Sequence, residues 1–358
     1  MCATELDLAQ RTALETAVPS VARHYRRSWV DALIARIERV PGPTWLTFSA
    51  IAVGGGALGG ALLIATNSLP DALTYRVQVP IFFLLGTGSL ALIRHLNVVA
   101  SARLDQFAPV LAVDAATLEG LRRELTVMPA RQGIVVPMIG LTIISASYQA
   151  DSAAAEFAKL PVMAQAIGGA TELASVALFS MLIYHTVRQL RLVDRIHRMA
   201  ADVDLFAAAP LHAFSGLTAR TGAGLVAASA AMLLYPDASQ FVSTWVAFGA
   251  LMASAIAVFI LPLRGIQRRL ATEKGALIGA ADRRLRATLE HLDRQVDGWD
   301  LSGADGLNKT LASQILQRDL LAKLPTWPWS TGTLRGFLSV LVVPIVLWLI
   351  QRALANLV

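Results

Sequence analysis

The stretch TWLTFSAIAVGGGALGGALLIATNSL, residues 44–69, holds no charged side chain, and the uncharged run around it extends from 40 to 70. A helix needs about 20 largely apolar residues to cross the hydrocarbon of a bilayer, so this segment is long enough to span one. Gly54, Gly55, Gly56, Gly59 and Gly60 imitate a phosphate loop in composition, but no Lys-Ser/Thr pair follows them. The four-residue spacing of Gly55 and Gly59 instead suits close packing of one membrane helix on another.

Working outward, six more apolar runs appear at 77–93, 132–150, 160–187, 221–236, 238–263 and 336–351. The fifth is short, and residues 213–218 can lengthen it. The expected fold is therefore all-α, a polytopic membrane protein with seven transmembrane helices. Composition agrees: 55% of the 358 residues are apolar or aromatic, 16% are charged, and the mean hydropathy is +0.55. A soluble domain carries about 25% charge. Cys2 is the single cysteine, which excludes a disulfide framework and a cysteine-based metal centre.

Charge sets the orientation. With the N-terminus inside, segments 1–43, 94–131, 186–220 and 264–335 hold 28 of the 31 Lys and Arg residues, and Arg76, Lys159 and Arg352 are the remainder. Positive charge is retained on the cytoplasmic side, so the expected topology is N-inside and C-outside, the reverse of the G-protein-coupled receptors. The net charge of +6 then needs no nucleic-acid partner; the expected partners are membrane lipid, further copies of the chain and a small-molecule ligand. The first 40 residues carry Glu5, Asp7, Glu15 and six arginines without an apolar core, so no cleavable signal peptide is expected. Arginine and alanine are abundant and lysine scarce, a composition common in GC-rich bacteria; the expected location is a bacterial inner membrane.

Four regions follow: a cytosolic N-terminal amphipathic region (1–43), a six-helix membrane region (44–263) with cytosolic loops 94–131 and 186–213, a cytosolic helical hairpin with a Pro/Trp elbow (264–332), and the seventh span with an external C-terminus (333–358). Arg188, Arg191, Arg195 and Arg198 continue the fourth span as a basic stripe, read either as an anionic-lipid or phosphate-binding stripe or as ordinary positive-inside anchoring. Leu118, Leu121, Leu125 and Met128 mark an amphipathic helix ended by Pro129. Leu285, Leu289, Leu292 and Val296 lie on the apolar stripe of a long helix after residue 265, with no membrane to bury it, and so are expected to anchor an oligomer. Asp297, Gly298, Trp299 and Asp300 break that helix, and Ser302 with Asp305 reads as the cap of the next.

Chemistry is sparse. No motif of nucleophilic, metal or phosphate chemistry occurs, and the six histidines form no HExxH pair; no enzyme activity, cofactor or metal is expected. Glu172 is the one carboxylate inside a span, and three roles stand open for it: a ligand contact, a proton or cation site, or a structural hydrogen bond. Tyr148, Tyr235 and Trp245 near the outer ends of spans either anchor the chain at the interface or join Glu172 and Gln165 around an external pocket. The last span, GFLSVLVVPIVLWLIQ, either faces lipid or lines an apolar gate that closes by dewetting. In the gate reading Leu347 or Trp348 forms the constriction, Pro344 kinks the helix, and Gln351 lines the outer mouth.

The arrangement resembles the seven-transmembrane ion channel superfamily that includes the insect odorant and gustatory receptors. The shared points are the topology, the cytosolic extensions of the middle helices, and the cytosolic helix joined by an elbow to the last span. The superfamily's last-span pattern is Thr-Tyr, five apolar residues, Gln-Phe; here Pro344, Ile345, VLWLI, Gln351 and Arg352 align, with Gln351 and the apolar block matching. The resemblance implies a homotetramer around a pore lined by the last span, an anchor of cytosolic helices, and a ligand pocket in the outer half of the first six spans. Two functions from different classes follow: a ligand-gated channel, or a non-conducting sensor or scaffold whose hairpin recruits a partner.

Overall fold

A computed structural model describes residues 26–70, 73–111, 113–150, 153–199, 213–233, 242–299, 303–327, 329 and 331–355. Among them the chain is helical throughout, with one isolated antiparallel bridge between Arg27 and Pro129. The helices are α1 (Trp29–Ile37), α2 (Thr44–Ala65), α3 (Leu73–Phe107), α4 (Ala115–Thr126), α5 (Gln132–Ala150), α6 (Ala153–Ala158), α7 (Val162–Arg198), α8 (Ser215–Leu233), α9 (Val242–Ile260), α10 (Arg264–Asp297), α11 (Ala304–Lys323) and α12 (Thr331–Ala355). Each of the seven apolar runs coincides, over most of its described residues, with part of a helix. Five helical stretches are long and apolar enough to cross a membrane: α2, α3, α7, α12 and the stretch through α9 and α10; α5 is a shorter apolar helix.

The middle of the bundle is α3 against α7, with α2 on α3, α5 on α7, and α8 joining α3 to α9 and α12. Small residues set these approaches. On α2 the buried face is Phe48, Ala52, Gly56, Gly59 and Leu63. A Cβ at Gly56 would stand 3.1 Å from the Pro80 backbone, and one at Gly59 would run into Val79. Gly55 meets Phe83 in the same way, so the glycine run serves packing on α3. Gly140 of α5 admits Ser180 of α7, and Gly222 of α8 admits Phe337 of α12.

Both central helices outrun their apolar stretches and carry a second core beyond them. Leu96, Ala100, Leu104 and Phe107 on α3 meet Leu192, Val193 and Ile196 on α7, Leu121 and Leu125 on α4, and Val30 and Ile34 on α1, all buried. The amphipathic spacing of α4 supplies its share, and Met128 completes the stripe with no exposed surface. Ser28 caps α1 in a reciprocal box with Asp31. The Asp31 carboxylate also accepts from the Met128 amide at 2.9 Å. Burial raises the Asp31 carboxyl above its ordinary range, against these hydrogen bonds. Trp29 Nε1 donates to the Gly133 carbonyl at 2.5 Å, so α1 is clamped to the link between α4 and α5.

That link is held from a third side. The last carbonyls of a helix have no partner within it. Here Leu125 accepts from Gln189 Nε2 at 3.1 Å, Thr126 from Asn97 Nδ2 at 3.0 Å, and Val127 from Arg188 Nη1 at 2.8 Å. Arg195 pairs with Glu124 and Arg198 with Asp194. Three of the four arginines in the basic stripe of α7 thus have partners within the chain.

Pro262 breaks the helical ladder at the 3-10 turn Leu261–Leu263, and α10 continues directly from it. α10 has 34 residues, about 50 Å at 1.5 Å each. It turns back at Gly298 and Trp299, the latter in the left-handed region at φ 55°, and α11 packs antiparallel to it. The expected Ser302 cap lies outside the described residues. Lys274 closes the hairpin base, donating to the Ala322 and Leu324 carbonyls at 2.7 Å each. Arg318 with Asp282, and Gln314 with Thr288, tie the two helices further along.

Candidate functional site

Three places concentrate what the chain offers for function: an apolar cavity among the apolar helices, a buried carboxylate beside them, and the last helix with its elbow.

The cavity has a volume of about 710 Å³ and is walled by five helices: Phe82 and Leu85 of α3, Ile139 and Ile143 of α5, Phe179 and Ser180 of α7, with α8 and α9 opposite. It exists because α5 packs chiefly on α7, leaving a space between α5 and the α8/α9 pair. Gly140, Ala228 and Ala247 keep that space open by carrying little or no side chain. Its size is that of a small-molecule site. Nearly all its lining is hydrocarbon, so it suits an apolar guest.

Glu172 and Gln165 are on α7 and Trp245 on α9, and none of the three lines the cavity. Tyr235 and the side chain of Tyr148 lie outside the described residues. Gln165 donates to the Leu160 carbonyl at 2.7 Å, and to that of Ala158, capping the chain that leads into α7.

Glu172 is buried, and its Oε2 accepts from Gln78 Nε2 of α3 at 3.1 Å. Gly168, one turn earlier, makes room for that amide: a Cβ there would stand 3.2 Å from Gln78 Oε1. One turn later, Ser175 Oγ lies 2.5 Å from the Phe82 carbonyl and 2.8 Å from that of Thr171. A polar seam thus ties α3 to α7 inside an apolar layer. Gln78 was not singled out in the sequence; its signal is an amide in the otherwise apolar run after Arg76.

The geometry yields a test. Glu172→Gln keeps an acceptor for Gln78 and is expected to leave thermal unfolding in detergent near that of the parent. Glu172→Leu strands the buried amide and is expected to cost about 1–3 kcal/mol. Equal losses in both variants would show that the charge, rather than the hydrogen bond, matters.

α12 touches the bundle along one side. Phe337 and Pro344 are buried, Leu347 and Trp348 half-buried; Trp348 meets Trp245 edge-on at 6.0 Å. One expected gate residue and one expected pocket residue are therefore in contact, between α12 and α9. Gln351 belongs to the helix, with its side chain outside the described residues. The opposite face, Leu338, Val342, Ile345 and Leu349, is uncovered. The elbow is a stack of rings: Trp327 on Trp329 at 4.6 Å, Trp329 on Phe259 at 4.7 Å, and Phe259 on Phe337 at 4.1 Å. It joins the hairpin, the end of α9 and the start of α12 into one block.

The four expected anchor residues divide in two. Leu285 and Leu292 are half-buried in the hairpin, while Leu289 and Val296 are exposed. Ile315, Leu316 and Leu320 of α11 add further uncovered apolar surface. Among the described residues no three His, Cys, Asp or Glu side chains converge to hold a metal ion.

No protein-family model matches this chain, and neither does any curated protein or solved structure.

Proposed function

We propose that the protein is the subunit of a homo-oligomeric, tetrameric, ligand-gated ion channel of the inner membrane, with seven spans, the N-terminus inside and α12 around the pore. The observation that carries this reading is the attachment of α12. It is held along one side, leaves an apolar face free from Leu338 to Leu349, and is coupled through the stacked Trp/Phe elbow to a hairpin with apolar surface of its own. An apolar lining that closes by dewetting needs such a face. Leu347 and Trp348 are half-buried on the subunit side of the helix, Trp348 against Trp245 of α9, and the constriction falls to the free face at Val342 and Ile345. The cavity among α3, α5, α7, α8 and α9 takes the gating ligand, an apolar small molecule.

The test is ion flux in proteoliposomes. Val342→Ser wets the constriction and is expected to raise resting flux severalfold. Ala247→Phe, which fills the cavity, is expected to abolish the response to apolar ligands while resting flux stays at the parent value. Purified protein that passes no ion under any apolar stimulus, with Val342→Ser equally silent, would overturn the channel.

One observation favours the second reading, a non-conducting sensor or scaffold. Between Val342 and Ile350 every exposed side chain of α12 is apolar, as for a helix that faces lipid. The same flux measurement separates the two.

A further inference from the structure

The wall of the cavity decides what it can hold. Among the described residues that line it none is charged, and three carry a polar side chain: Ser180, Tyr184 and Thr244. The Ser180 hydroxyl donates to the Val176 carbonyl of its own helix at 2.7 Å, so its proton is spent. Tyr184 and Thr244 stand at opposite ends. α7 and α9 run in the same direction, because α3 is parallel to α7 and α8 is antiparallel to both α3 and α9. Tyr184 comes late in the apolar part of α7, and Thr244 is in the first turn of α9. Between those ends the wall is hydrocarbon apart from Ser180. A guest with donors or acceptors at that height would give up its water for almost no hydrogen bonding.

The mouth is on the side of the bundle. Ile139 and Ile143 of α5 line the cavity and are nevertheless 55% and 66% exposed. Across from them Ala250 of α9 lines it and is exposed as well. All three lie near the middle of their helices rather than at an end, so the cavity opens between α5 and α9 within the apolar layer. What stands outside such a mouth is the hydrocarbon of the bilayer, not water. An empty space would leave the lining side chains without partners on one side, and lipid chains are the molecules at hand to fill it.

We propose that the cavity is filled from the bilayer: the acyl chain of a membrane lipid enters between α5 and α9 and lies against Phe82 and Phe179, half-buried at its back. This rests on the reading of the cavity as a ligand site, and it names both the route of an apolar ligand and the chain that the ligand displaces.

The experiment is photolabelling of the full chain in liposomes of phosphatidylcholine that carries a diazirine midway along one acyl chain, with labelled residues mapped by mass spectrometry. Val53 and Leu58, exposed on α2, report ordinary contact with lipid and are expected to be labelled in every variant. In the parent Phe82 and Phe179 are expected to be labelled too. Ala250→Trp obstructs the mouth from an exposed position, and Ala247→Phe fills the space behind it. Each is expected to bring label at Phe82 and Phe179 to background, and Ala250→Trp decides the matter should Ala247→Phe not fold. Label at Val53 and Leu58 without label at Phe82 and Phe179 in the parent overturns the seat, as does deep label that Ala250→Trp leaves unchanged. Labelling reads occupancy and not flux, so a seated chain in a protein that never conducts would sink the channel and leave this inference standing.

Discussion

Asn97→Leu is expected to lower the unfolding temperature of the detergent-solubilised protein by roughly 5–10 °C, from a loss of about 2–6 kcal/mol spread over two stranded groups. Asn97 bridges two helices with both ends of its amide. Nδ2 donates to the Thr126 carbonyl at 3.0 Å, and Oδ1 lies 2.7 Å from His185 Nε2. Because Nδ2 is committed to a carbonyl, Oδ1 is the acceptor, and the imidazole carries its proton on Nε2. His185 has no exposed surface, and its Nδ1 has no partner among the described residues. The ring therefore depends on Asn97 alone, and leucine there leaves a buried donor and a helix-end carbonyl unmatched. His185→Leu alone strands only the Asn97 oxygen. In the double variant both members of that bond are gone, which costs less than the sum of the singles. The cycle should show a coupling of about 1 kcal/mol or more. Additive single and double variants in thermal unfolding would mean that the network contributes nothing as a unit.

That network marks the boundary of what the sequence discloses. The apolar run at 44–69 is legible as a long helix because an uncharged stretch of that length has one common solution in a bilayer. The continuation of α7 to Arg198 is legible because Leu192 and Ile196 share a face distinct from the arginines. The capping of α4 is not legible: Asn97, Arg188 and Gln189 serve carbonyls on another helix, and backbone acceptors leave no pattern in side-chain types. The cavity is hidden for a related reason, since its space comes from what Gly140, Ala228 and Ala247 lack. The inward face of α12 is the hardest reading of all. Residues 342–350 are apolar on every side, so nothing in their own order selects which face meets the bundle. Gly222 and Trp245, far away in the chain, make that selection by accepting Phe337 and Trp348.

The hairpin supplies the second large effect. An apolar side chain outside the membrane and uncovered within the subunit is relieved by contact with protein. Leu316 and Leu320 of α11 are 62% and 55% exposed, on a helix otherwise rich in polar residues. Leu321, their neighbour, is buried at 5%, so α11 already has an inward face, and the other two leucines lie off it. If the proposed oligomer forms through this surface, Leu316→Asp with Leu320→Asp is expected to convert it to monomer in native mass spectrometry, because charge at a buried contact is costly. Helical content by circular dichroism should not change, since Arg318 with Asp282, Gln314 with Thr288 and the Lys274 cap remain. Leu285→Asp with Leu292→Asp strikes the half-buried side of α10 instead. Its expected outcome is an opened hairpin, with loss of helical signal and faster proteolysis between 264 and 324. The two pairs thus separate contacts between copies from contacts within one. An oligomer that survives both substitutions in α11 would place the subunit interface elsewhere, and with it the argument that the hairpin holds α12 against its counterparts.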